Sequence, residues 1–180
     1  MKKKLFLVIL FSVLGGPLAN AGTYVSGSVG LGLPNVAFDG ADFKLDNTIL
    51  WNGAFGYNCK PVRVEIGVGY QKNSYSDYSY PGPSLTTIMA NGYYDFNTGS
   101  GFSPYVTAGA GIADINTTDN YVDQTVFAWK VGAGVGVKLA SNVTIDLGYQ
   151  YLKPEGVSSV INEKVSFSSS NILLGIRYDF

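Results

Sequence analysis

The sequence predicts an all-β fold, an eight-stranded antiparallel up-and-down transmembrane β-barrel, and three observations carry that expectation. Apolar residues alternate with small or polar ones at period two through most of the chain beyond residue 21, in stretches joined by alternately long and short connections. Successive strand side chains point to opposite sides, so each stretch has one greasy face and one small or charged face. The stretches are also long enough for tilted strands, which need about 9–11 residues to cross the apolar layer of a bilayer.

The N-terminus comes first in the order of elements. Lys2, Lys3 and Lys4 precede the apolar run 5–14 and a small-residue stretch ending Ala19-Asn20-Ala21. A positive start, a short apolar run and an Ala-x-Ala site form a secretory signal, with cleavage expected after Ala21. Residues 1–21 are therefore expected to be a cleavable signal peptide and residues 22–180 a single barrel domain.

Eight strands are expected at residues 23–33, 48–58, 62–72, 85–97, 103–113, 125–139, 143–152 and 169–180. The links at 34–47, 73–84, 114–124 and 153–168 are long, whereas those at 59–61, 98–102 and 140–142 are short. An even strand count with short turns at one end and long loops at the other is the plan of an outer-membrane barrel, short turns periplasmic and long loops outside.

Phe127, Trp129, Val131, Ala133, Val135, Val137 and Leu139 share one face of their strand, opposite Lys130, Lys138 and glycines. Val62, Val64, Ile66, Val68 and Tyr70 oppose Arg63 and Glu65 in the same way, and Ile176, Tyr178 and Phe180 oppose Arg177 and Asp179. Turning such a strand over would put Lys or Arg against lipid, at about 2–4 kcal/mol each near the midplane. Summed over several ionisable residues, that rivals a whole domain's stability of roughly 5–15 kcal/mol. The aliphatic face is therefore the outer one, with aromatics such as Trp51, Phe55, Tyr57, Tyr70, Phe96, Trp129, Tyr149 and Tyr151 in two interfacial girdles.

Composition closes several function classes. The chain has no His, which removes the commonest general base and metal ligand, and a single Cys, Cys59, which forms neither an internal disulfide nor a Cys-based zinc site. Without the leader lysines, nine Lys and Arg face thirteen Asp and Glu, so no basic stripe suits a nucleic-acid partner. The glycine clusters at 109–111 and 132–136 do not lead into a helix as a phosphate loop does, and fit an inward face in a narrow barrel. Asp114, Asp119 and Asp123, with Asn116 and Asn120, match no calcium-loop spacing and read as a solvated loop. No cofactor, metal or catalytic residue is expected.

Tyr93-Tyr94-Asp95-Phe96-Asn97, the segment 103–111 and the closing Gly175-Ile176-Arg177-Tyr178-Asp179-Phe180 resemble the small outer-membrane β-barrel family of OmpA-type transmembrane domains, OmpX and Opa-like surface antigens. The resemblance covers essentially the whole chain after the leader. It implies the outer membrane of a Gram-negative bacterium, contact with membrane lipid and lipopolysaccharide, and assembly by the barrel-assembly machinery, for which Tyr178 and Phe180 would be the C-terminal signal. Unlike full-length OmpA, the sequence ends at the eighth strand, with no periplasmic domain expected after it. Members differ in activity, so the likeness names a place more than a task.

The expected function is non-enzymatic: loops that meet a host or cell-surface ligand, or envelope stabilisation. The loop holding Tyr75, Asp77, Tyr78 and Tyr80 is the candidate external binding site, since tyrosine with Ser and Gly gives rigid contacts plus adaptable hydrogen bonds. A small porin-like channel is the alternative, disfavoured because eight strands leave an interior that side chains fill. A soluble lipocalin-like binder would need its apolar face inward. The charged inner positions Arg63, Glu65, Asp95, Lys138, Asp146, Arg177 and Asp179 are expected to form an ionic plug in the periplasmic half, with Lys138 and Arg177 flanking Asp146 and with Arg63 and Glu65 facing Asp95. Gly67, Gly148 and Gly175 would leave room for the long cations, and Asp146→Ala would cost roughly 3–5 kcal/mol.

Overall fold

A computed structural model describes residues 22–38, 41–44, 47–74, 81–116, 123–156 and 165–180. Residues 1–21, and with them the expected leader, lie outside the described residues, as do Tyr75, Asp77, Tyr78 and Tyr80.

Among the described residues nine strands follow one another: β1 (Thr23–Phe38), β2 (Ala41–Lys44), β3 (Thr48–Cys59), β4 (Val62–Ser74), β5 (Pro81–Asp95), β6 (Phe102–Asn116), β7 (Asp123–Lys138), β8 (Val143–Pro154) and β9 (Val165–Asp179). The eight long ones are antiparallel neighbours in chain order, and β1 pairs β9 from Tyr24↔Asp179 to Phe38↔Val165, which closes the barrel. The short β2 adds to β1 beyond the point where β3 leaves it, Asn35↔Lys44 following Gly32↔Thr48.

The expected facing holds on every long strand. Val64, Ile66, Val29, Leu31, Leu147, Ile172, Leu174 and Ile176 are exposed on the outside, Ile66 by 59%, while Arg63, Asn91, Thr144, Gln150 and Arg177 are buried inside. This is the reverse of a soluble ligand-binding barrel. At the inner end Phe96, Phe102, Tyr178 and Phe180 ring the outside, and Phe180 N donates to Thr23 O at 3.0 Å, tying the two ends of the described chain together.

Most long strands run further outward than the sequence suggests, and the reason is a reversal of polarity. Near the outer mouth the inward positions become apolar: Leu85, Met89, Ala113, Ile115, Ala128, Leu152 and Phe167 form one buried cluster. At the same height the outward positions become polar, with Ser84 and Thr86 on β5, Asp114 and Asn116 on β6, Thr125 on β7 and Ser168 and Ser170 on β9. Below that level the wall is built for lipid outside and polar groups within. Above it the wall is that of a water-soluble barrel with its own core. On the β4 and β9 side the same height holds amides and a hydroxyl instead: Gln71 donates to Asn73 at 2.8 Å and Ser169 to Asn171 at 2.7 Å.

A closed barrel has no free edge along its membrane wall and resists SDS. Folded, detergent-solubilised protein is expected to migrate faster on an unboiled SDS gel than after boiling; equal mobility would contradict closure.

Candidate functional site

The lumen is filled from the short-turn end upward. Arg63 stands one residue into β4 and Asp95 ends β5, and because Arg63 lies opposite Tyr93 in the ladder the two charges converge inside. Their contact is bidentate, Nε to Oδ2 at 2.7 Å and Nη2 to Oδ1 at 2.9 Å. The guanidinium also lies 4.3 Å from the ring centre of Tyr93, 5.4 Å from Tyr105 and 5.8 Å from Tyr24. Three aromatic faces around a paired cation form a compact closure, since each ring offers its negative face to the guanidinium.

Glu65, one inward step higher, makes no ion pair among the described residues. It accepts hydrogen bonds from the Tyr93 hydroxyl at 2.6 Å, the Tyr24 hydroxyl at 3.0 Å and the Asn91 amide at 3.0 Å. Arg177 meets Asp146 through one long contact of 3.5 Å, and its Nε and Nη1 find no hydrogen-bond partner among the described residues. Of the predicted ionic set, the structure thus gathers Arg63, Asp95, Glu65, Asp146 and Arg177 into the bore.

Two expected members are elsewhere. Lys138 is the last residue of β7, at the rim, and its side chain is exposed to water; the residue opposite Asp146 is Gly136. Asp179 also lies at the rim and makes no ion pair among the described residues. The third lumenal cation is instead Lys130, which lines a cavity of about 90 Å³ together with Glu65, Asn91 and Asp146. That volume admits waters but is far below the roughly 300 Å³ at which pockets for drug-sized ligands begin.

Several glycines make room for tyrosines, while Gly136 rather than the expected Gly67, Gly148 or Gly175 faces Asp146 and Arg177. A Cβ on Gly56 would lie 2.3 Å from the Tyr24 ring, and one on Gly134 or Gly148 would meet Tyr105 at 2.5 or 2.6 Å. Gly67 and Gly175 face Ala54 and Ser28. Tyr24, Tyr93 and Tyr105 were missed as lumenal residues, although their parity with Gly56, Glu65 and Gly109 in the ladders gives their side.

On the outer rim, Trp129 packs on Tyr151 with ring centres 5.8 Å apart and donates its indole N–H to Glu155 at 2.8 Å. That bond, and Lys153 at 3.6 Å, hold the Glu155 carboxyl below its usual range. Asp114 accepts from Asn116 and Thr125, while Asp119 and the Asp123 side chain lie outside the described residues. Cys59 is an exposed free thiol at the end of β3.

A closed eight-strand wall, apolar outside in its lower part and filled inside, defines an integral membrane barrel. The chain belongs to the outer membrane protein beta-barrel domain family, whose description matches residues 6–180. It is 27% identical to the outer membrane protein PagN of Salmonella typhimurium, over 97% of this chain and 95% of that one. It is 28% identical to RC1281 of Rickettsia conorii, named as a candidate adhesin, over 78% of this chain and 74% of that protein. Among solved structures, Neisserial surface protein A superposes with a TM-score of 0.72 at 24% identity, covering 89% of this chain and 98% of its own.

Proposed function

We propose that the protein is a non-enzymatic surface anchor that holds its outer loops toward a host or cell-surface ligand. The observation that carries this reading is the filled lumen: Arg63, Asp95 and three tyrosines occupy the short-turn end and an apolar cluster occupies the outer mouth. A bore so filled leaves the outer loops as the surface at which a partner can act. The candidate-adhesin name carried by the Rickettsia conorii relative points the same way.

The test is display in a non-adherent bacterium, with binding to host matrix proteins and to other bacteria measured against an empty-vector strain. Increased binding that is lost when Tyr75, Tyr78 and Tyr80 are replaced by Ser and Asp77 by Asn supports the reading. Binding no different from the empty vector, or large steady steps in single-channel recording, would favour the porin-like alternative or envelope stabilisation instead.

The remaining partners belong to the same proposal. Export begins with cleavage after Ala21, lipopolysaccharide and lipid surround the wall, and the barrel-assembly machinery reads Tyr178 and Phe180, whose rings meet edge to face at 5.3 Å on the outside of the inner rim. Phe180→Ser is expected to lower outer-membrane levels while leaving signal cleavage intact, as read by fractionation and the mature N-terminus. Normal assembly of that variant would remove Phe180 from the signal.

A further inference from the structure

Lys130 stands midway along β7, opposite Gly109 on β6 and Leu152 on β8, and makes no ion pair among the described residues. The carboxylates below it are already engaged. Asp95 holds Arg63, Asp146 meets Arg177, and Glu65 takes hydrogen bonds from Tyr24, Tyr93 and Asn91.

Toward the outer mouth Lys130 also lines a second, smaller cavity of about 20 Å³, together with Gln150, Asn171 and the apolar Leu85, Met89 and Leu152. None of the described residues that line it is acidic. Asn171 is 1% exposed, and the hydrogen bonds around it fix which way its amide points. Gln71 donates to Ser169 at 3.4 Å and Ser169 donates to Asn171 Oδ1 at 2.7 Å. The carbonyl is thereby used, and Nδ2 is buried with no partner among the described residues.

We propose that this cavity is a binding site for one small monovalent anion of the halide class, held between the Lys130 ammonium and the Asn171 amide nitrogen. Both groups have hydrogens to donate and neither accepts. A buried ammonium without a counter-charge is costly, and an anion offsets that cost where a water brings no charge. One ammonium calls for one negative charge. The volume is above the roughly 10–15 Å³ that a single water needs, so one unhydrated ion has room. Leu85, Met89 and Leu152 offer nothing to a hydration shell, which favours an ion that sheds its water readily, bromide or chloride over fluoride. The site lies inside the bore and stands apart from the loop reading above.

The test is urea unfolding of the barrel in phosphatidylcholine vesicles, with chloride exchanged for gluconate at fixed ionic strength. A ligand that binds only the folded state stabilises it as its concentration rises. The logarithm of the folding constant is expected to climb with that of chloride concentration toward a slope of about one, for one ion per barrel. Bromide should act at lower concentration than chloride, and fluoride at higher. Lys130→Met, and Asn171→Asp, which supplies a carboxylate of its own, should each bring the slope to zero, while Lys153→Gln at the rim keeps it. Faster migration on an unboiled gel shows that each variant is folded. Crystals soaked in bromide should show its anomalous signal beside Lys130. A wild-type slope of zero overturns the proposal and leaves the cavity to water. So does a slope that survives in folded Lys130→Met or Asn171→Asp, or a bromide signal absent from the cavity.

Discussion

Asp95→Ala is expected to lower the unfolding free energy by about 3–5 kcal/mol, because it leaves Arg63 buried and unpaired. Arg63 is 3% exposed, and its Nε and Nη2 both depend on Asp95. The tyrosines around it soften the loss without replacing a carboxylate. Asp146→Ala should cost less than Asp95→Ala, since Arg177 holds Asp146 by a single 3.5 Å contact and already has two nitrogens without a hydrogen-bond partner among the described residues. Urea titration of the folded fraction in lipid vesicles measures both. Replacing the first pair together, as Arg63→Met with Asp95→Leu, should recover much of the loss, as apolar exchange of a buried pair often does. A larger effect at Asp146, or a double variant no better than Asp95→Ala, would count against a lumen organised around Arg63.

Gly56→Val is expected to destabilise by about 1–3 kcal/mol through overpacking, and to do so by way of Tyr24. A Cβ at position 56 would stand 2.3 to 2.6 Å from three atoms of the Tyr24 side chain, so the ring must leave. Displacing it removes a hydrogen bond to Glu65 and one of the faces around Arg63. Tyr24→Ser should relieve the clash, so in a double-mutant cycle the two changes together cost less than their sum. A Gly56→Val barrel as stable as wild type, or additive effects, would show that the ring does not depend on the space at Gly56.

The facing of the strands was legible because each charged residue turned to lipid carries a penalty large enough to leave a trace in the alternation. Val62 to Tyr70 and Ile172 to Phe180 could be assigned sides on that ground alone. The outer ends were not legible in the same way. Leu85, Ile115, Leu152 and Phe167 keep period two but invert its sense, so a reader following the greasy outer face loses the strand where it leaves the membrane.

The lumen was half legible. Parity placed Arg63, Asp95, Asp146 and Arg177 inside, but which of them meet depends on stagger between strands, and distance from a strand end misplaced Lys138, whose ladder position opens to water. Aromatic type at strand ends pointed to girdle residues such as Tyr57, Tyr70 and Tyr149, and gave Tyr24, Tyr93 and Tyr105 no side. Tyr24, Tyr93 and Tyr105 face inward by the same parity as their charged neighbours, and the rings of Tyr24 and Tyr105 fill space that glycines on facing strands leave open.

The reversal of polarity near the mouth also sets how deep the protein rides in its bilayer. Sinking by one residue step, about 3.3 Å along each strand, would draw Ser170, Thr86 and Thr125 toward hydrocarbon. Rising by the same step would lift Phe102, Tyr178 and Phe180 away from the inner interface. Both displacements are opposed, so the collar behaves as a waterline. A thinner or thicker membrane should deform around the barrel rather than let it slide, and the outer loops keep a constant height above the lipid.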